Sequence, residues 1–199
     1  MSVMTIERPE SQERPLTVED LQRMPDDGRR YELVDGRLDV SPAPTNRHAK
    51  VEHRLSWHLQ NLAPAECDVY RGAGANFNAD RSHHRIPDLS VFRTDDYEEP
   101  YFTVPPLLAV EVVSPSSLFR DTNTKRAEYA DFGIESYWVI NVWGDEPELL
   151  EWRLDNKSYR TAAEVVGKKV FETDAPFPVK LVPHWLTAPG EWMDHIGGE

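Results

Sequence analysis

The chain has 199 residues, one cysteine (Cys67) and a formal charge of −13 from 22 Lys+Arg against 35 Asp+Glu. That length is enough to bury a core without covalent staples, and a lone cysteine excludes an internal disulfide. No apolar stretch reaches membrane-spanning length and no signal-peptide pattern opens the chain, so no membrane partner and a cytoplasmic location are expected.

The acidic balance argues against a basic footprint over the whole molecule. It is uneven, however: residues 20–130 hold 14 Lys+Arg and 18 acids, whereas the rest holds 8 against 17. A local positive groove is compatible with that distribution.

Residues 1–15 are polar and proline-punctuated and read as a disordered tail. In LTVEDLQRM, Thr17 has the place of an N-cap and Asp20 that of a capping-box acid. Tyr31 to Val40 reads as a hairpin turning at Asp35-Gly36. From Asn46 to Leu62, the residues Val51, Leu55, His58, Leu59 and Leu62 keep helical spacing, and Pro64 ends the run. Residues 67–79 suggest a strand loosened at Gly72 and Gly74. Ile86 to Phe92 and Leu107 to Val113 are further strands, joined by an acidic, aromatic loop.

Ser114-Pro115-Ser116 breaks the second of these and opens a helix that runs to about Phe132 and stops at Gly133. Ser136 to Val142 is another apolar strand, so strand, helix and strand form a βαβ unit with a parallel pair. ELLEWRL and KSYRTAAEVV read as a late antiparallel hairpin. Domain boundaries follow: a tail over 1–15, a mixed α/β domain over 16–186 and a loosely tethered end over 187–199.

Two of the apolar strands each carry an acid, Asp88 in RIPDLSV and Glu111 in LLAVEVVSPSS. Strand alternation puts Leu107, Ala109, Glu111 and Val113 on one face. A buried carboxylate needs a partner, a metal or a wet cleft, and two on adjacent strands repel unless a cation lies between them. Mg²⁺ is commonly held by one or two carboxylates with waters and phosphate. In the following helix Asp121, Lys125 and Tyr129 are four apart and share a face. The crossover packs that face on the sheet, so Lys125 can reach the acids and act on a phosphate.

Plainer readings stand beside these. Asp88 could cap a turn, Glu111 could pair with an arginine, and Asp121 with Lys125 could be an exposed helix pair contributing about 0.2–0.5 kcal/mol. His83-His84 reads as a surface-loop pair, Cys67 as a core filler, and Tyr137-Trp138 as core.

In order along the chain, RYELVDG, RIPDLSV, VEVVSPSS and DTNTKRAEYADFGIESYWVI resemble the Uma-type restriction endonuclease family of the PD-(D/E)XK nuclease superfamily, over roughly Leu16 to Leu186. The resemblance implies a restriction-endonuclease-like fold and Mg²⁺-dependent phosphodiester hydrolysis, with Mn²⁺ as a substitute. Asp88 and Glu111 match the two metal-holding acids, with a carbonyl near Val112 as a further ligand. The superfamily's lysine stands two residues after the second acid, where this chain has Val113; Lys125 matches a lysine moved to the helix. Glu32, His48, Asp121 and Tyr129 would support these groups.

Arg47, Lys50, Arg54, Arg85, Arg120 and Arg126 could track a phosphate backbone. DNA is the expected partner and a homodimer the expectation by analogy. Two alternatives stay open. One is a non-catalytic relative that binds nucleic acid or protein, favoured by the acidic charge and Val113. The other is a sugar hydrolase using two carboxylates.

Overall fold

A computed structural model describes residues 14–198, which form twelve strands and four α-helices arranged around a mixed sheet. Helix α1 (Val18–Leu21) is opened by the Thr17 and Asp20 capping pair, in which the Thr17 N–H donates to Asp20 Oδ2 at 2.9 Å. Strands β1 (Arg30–Val34) and β2 (Arg37–Ser41) form the expected hairpin, with Asp35 and Gly36 at φ 49° and 74°. These are the two positive values that a tight hairpin of this twist requires. Helix α2 (Asn46–Leu62) is capped by the Thr45 hydroxyl and buries Val51, Leu55, His58 and Leu59.

The stretch 67–79 is not one strand. It divides into β3 (Cys67–Arg71) and β4 (Ala75–Asn76), which lie in different sheets. Gly72 takes φ 61° between them, a left-handed conformation that breaks the extended run. The expected strand at 86–92 is likewise shifted: β5 (His84–Arg85) precedes Pro87, β6 (Leu89–Arg93) follows it, and Asp88 lies in the joint. A proline cannot donate to the ladder, which explains the break.

Strand β7 (Leu108–Val113) is buried along its whole length and pairs in parallel with β8 (Ser136–Asn141). The chain between them starts later than expected as a helix. Ser114 and Ser117 first close a turn, with the Ser114 N–H donating to Ser117 Oγ at 2.9 Å. Hydroxyls so placed compete with helical bonding. One π-helical turn (Arg120–Thr124) then leads into α3 (Lys125–Phe132), which ends at Gly133 with φ 99°.

Strands β9 (Glu148–Asp155) and β10 (Ser158–Val166) make the late hairpin. Two short strands, β11 (Phe171–Thr173) and β12 (Val179–Leu181), were not anticipated. Three-residue strands carry too little alternation to be read.

The main sheet has the order β10-β9-β8-β7-β6-β3, and a second sheet the order β2-β1-β5-β4. One core joins α2 to the main sheet through Val51, Leu55, Leu59, Leu108, Val110 and Val112; another lies under α3 around Tyr129, Tyr137 and Val139. Most of the expected N-terminal tail, residues 1–13, lies outside the described residues. The end from 187, expected to be loosely tethered, instead carries α4 (Trp192–His195). Trp192 stacks edge-on against Trp57 at 5.2 Å, and Ile196 is buried. A large aromatic and an isoleucine supply enough apolar area to dock so short a segment.

Candidate active site

A cleft of about 830 Å³ is lined on one side by β1, β2 and the loop into α2, and on the other by the end of β7, the serine turn and the start of α3. Asp88, Glu111 and Lys125 all line it. Leu89 pairs with Val110 across β6 and β7, and one further step of that register brings Asp88 level with Glu111. Residues so opposed share a face of the sheet.

Glu111 Oε1 accepts from Lys125 Nζ at 2.8 Å and from the Tyr129 hydroxyl at 2.5 Å. The same ammonium lies 3.5 Å from Glu32 Oε1 and 4.0 Å from Asp121 Oδ1. Helical spacing explains the convergence: Asp121, Lys125 and Tyr129 project from one face toward β7, and all three are buried. The expectation of an exposed helix pair therefore does not hold.

One ammonium thus faces three carboxylates, and the pair does not share its proton evenly. Burial alone would lower Lys125, but Glu111, Glu32 and Asp121 outweigh it and hold the lysine charged. Burial pushes Glu111 up to about 7; Lys125 opposes this, while Asp88, Asp121 and Glu32 add to it. The carboxylate is under-compensated by the cations around it.

Asp88 has a different environment. Burial opposes its ionisation, but the hydrogen bond from His48 and the charge of Arg30 hold it below the usual carboxylate range. Arg30 donates to Asp88 Oδ1, and Oδ2 receives the Val112 N–H at 2.7 Å and lies 3.2 Å from His48 Nε2. His48 Nε2 also lies 3.1 Å from Glu52 Oε1, and Glu52 Oε2 accepts from Arg71 at 3.0 Å. Burial works against His48's proton, but Asp88 and Glu52 more than offset it and raise the imidazole to about 9. Ligand atoms of His48, Glu52 and Asp88 lie within 4.8 Å of one another, close enough to share an ion.

Glu32 has a backbone role as well, since its Oε1 accepts the Ile86 N–H at 2.7 Å. It anchors β1 beside Asp88.

Several expectations are corrected by these contacts. Arg85 is buried and forked onto Glu128 at 2.7 and 2.9 Å, so it cannot track a phosphate. Arg54 is spent on the carbonyls of Trp185 and Ala188, both at 2.7 Å. Arg126 donates to the Tyr159 carbonyl at 2.9 Å and lies over Trp152. Arg120 faces the cleft and Asp39. His84 is no surface residue: it is buried, and only His83 is partly open. Val113 packs with Ala109, Tyr129 and Tyr137, while the lysine that meets Glu111 comes from α3.

Sequence reasoning missed Arg30 and Glu52. Arg30 stands two residues before Glu32 on one strand, so alternation puts both on one face. Glu52 stands four after His48 on α2. Either spacing could have been noticed.

The profile of the family described as "Putative restriction endonuclease" (Uma2) matches residues 18–186. A crystal structure from Anabaena variabilis, described as that of a putative nuclease, superposes with a TM-score of 0.63 at 16% identity, covering 80% of this chain and 89% of that one. At that identity the likeness shows the fold, a mixed α/β sheet with few helices. No curated protein matches the chain.

Proposed function

The chain belongs to the putative restriction endonuclease family Uma2, and on that premise we propose that it is a divalent-metal-dependent nuclease hydrolysing the phosphodiester bonds of DNA. The observation that carries the reading is the buried Lys125–Glu111 contact, 2.8 Å long, on a cleft that Asp88 also lines. Groups with perturbed ionisation that line a cleft beside a specific charge partner are candidates for chemistry.

The donor set fits a hard divalent cation such as Mg²⁺ or Mn²⁺. It offers two carboxylates and the Val112 carbonyl, which shares the side of β7 from which the Val112 N–H reaches Asp88. A second positive charge would also relieve the raised carboxyl of Glu111. When bound, such an ion supplies Lewis acidity toward a phosphoryl oxygen and makes water acidic enough to attack.

The chain's own groups supply the rest. Lys125 orients the attacking water and meets charge building on the phosphate. Tyr129 and Lys125 occupy Glu111 Oε1, and Oε2 accepts no hydrogen bond among the described residues, which leaves it for the ion. Glu32 and Asp121 hold Lys125 charged, and His48 donates to Asp88. Association as a homodimer belongs to the same proposal by analogy with the fold; sedimentation velocity reads it directly.

A plasmid-nicking assay in Mg²⁺ or Mn²⁺ tests the assignment. Wild type should nick and Asp88→Ala should not; undiminished nicking by Asp88→Ala removes that residue from the mechanism. A second reading, a nucleic-acid-binding relative without catalysis, is favoured by one contact. Arg30 already sits on Asp88 Oδ1, where an ion would bind. Nicking absent with every metal, together with no calorimetric signal for Mn²⁺ binding, would support it.

A further inference from the structure

Arg120 stands five residues before Lys125. On a regular α-helix that spacing sets two side chains about 140° apart, on different faces. The π-helical turn cancels the offset. Its closing bond runs from the Lys125 N–H to the Arg120 carbonyl, so one extra residue is taken up and Arg120 returns toward the side of Lys125. Both residues line the cleft, with Glu111 and Asp88. Such turns are rare and recur at functional sites.

Arg29, Arg30 and Arg120 all line the cleft, but they are held differently. Arg29 donates to Asp27 Oδ2 at 2.8 Å, and Arg30 donates to Asp88 Oδ1. Arg120 has only long contacts among the described residues. Its donors lie 3.4 and 3.5 Å from the two oxygens of Asp39, 3.4 Å from Ser41 Oγ and 3.4 Å from Asp121 Oδ1. Ordinary N–H···O bonds span about 2.7–3.2 Å. Asp39 also has a nearer partner, since Arg85 Nη1 lies 3.0 Å from its Oδ2. The Arg120 side chain, 31% exposed, is therefore loosely tied to a carboxylate already met from elsewhere. A guanidinium offers a planar fork of donors that matches two oxygens of a phosphate. One held this loosely can turn to such a ligand with little loss, whereas one in a tight pair cannot.

We propose that Arg120 leaves Asp39 to Arg85 and takes the non-bridging oxygens of the scissile phosphate, beside Lys125, as a further catalytic residue. Charge builds on those oxygens during hydrolysis, so the contact strengthens toward the transition state. The inference rests on the nuclease reading, because it uses the same cleft.

The test combines binding and cleavage on the full chain. Binding is read by fluorescence anisotropy with a labelled DNA duplex in Ca²⁺, which permits binding without turnover, over a series of salt concentrations. The slope of log affinity against log salt should become shallower by about one in Arg120→Ala. It should stay unchanged in Arg120→Lys, which keeps the charge. Plasmid nicking in Mg²⁺ should fall by about 10²–10³ in Arg120→Ala. Arg120→Lys should lie between that variant and wild type, because an ammonium cannot fork. Guanidinium ion below denaturing concentration should restore part of the rate in Arg120→Ala and add nothing to wild type. Asp39→Asn weakens the same contact from its other side. A residue that only ties β2 to the helix would give equal losses in Asp39→Asn and Arg120→Ala, whereas one that meets phosphate loses in the Arg120 variants alone.

Nicking by Arg120→Ala at the wild-type rate overturns the proposal. So does a loss matched by Asp39→Asn, with the salt slope unchanged and no rescue. Should Arg120→Ala fail to fold by circular dichroism, Arg120→Lys decides, with nicking reduced at an unchanged slope as the expected result and wild-type nicking as the contrary one. The same data separate the two readings. Wild type that nicks while Arg120→Ala keeps both its rate and its slope overturns this inference and leaves the nuclease standing. Wild type that never nicks, with a slope still reduced by the substitution, overturns the nuclease and leaves Arg120 as a phosphate contact.

Discussion

On one side of β7, Leu108, Val110 and Val112 meet α2 and the rest of an apolar core. On the other, Glu111 lies between Ala109 and Val113 and meets Lys125 and Tyr129. Both faces are buried, yet they do opposite things for the protein. The apolar face is favourable in proportion to the area it removes from water. The ionic face carries a desolvation penalty that its pairing only partly offsets, and apolar replacement of such groups is often neutral or stabilising. A chain that keeps three carboxylates around one buried lysine does so at a cost in stability, which the proposed nuclease role of this face would account for.

Substitutions on the two faces should therefore separate activity from stability. The largest effect is expected for Glu111→Gln. Nicking should fall by about 10²–10³, the scale of removing one preorganised charged group, while the melting temperature at pH 8 stays level or rises. The sign follows from the raised carboxyl: with a folded value of about 7, Glu111 contributes stability below its unfolded range, and that contribution is lost as pH rises toward 7. The amide removes the loss. A marked drop in melting temperature would show the ionic face to be structural after all.

Leu108→Ala, at the first residue of β7 and fully buried, should do the converse. It should cost about 2–5 kcal/mol in urea unfolding with activity per folded molecule kept. His48 sharpens the comparison by pH. Its imidazole is raised to about 9, so its stabilisation is complete below about 6.5 and lost as pH climbs to 9. Thermal melts of wild type should fall through that window, and those of His48→Gln should be flatter. The smallest effect is expected at a pair outside both faces: Lys180 and Glu172, 3.1 Å apart and more than half exposed. Lys180→Ala should shift urea stability by no more than about 0.5 kcal/mol.

Much of this was legible along the chain where the signal is local. The Asp35-Gly36 turn, the period of α2, the alternation that puts Glu111 opposite Val110 and Val112, and the spacing of Asp121, Lys125 and Tyr129 all depend on residues within one or two turns of each other. Val113 was legible as a departure, and the approach of Lys125 from the following helix to Glu111 as a contact. The docking of the C-terminal segment was not, because a short helix is stable only against the surface that receives it. The fate of the arginines was hidden for a similar reason. Arg85 looked free in sequence because Glu128 is 43 residues away.

Local composition by itself determined which segments would be buried and that two of them would carry an acid, Glu111 within β7 and Asp88 just before β6. Only the tertiary structure decided what those acids face. Arg30 reaches Asp88 across 58 residues and Lys125 reaches Glu111 across 14, so their partners depend on the order of the strands. Periodicity acts through neighbours on one element, whereas charge pairing in a low-dielectric cleft acts through space, and the distances that govern it exist only once the sheets have assembled.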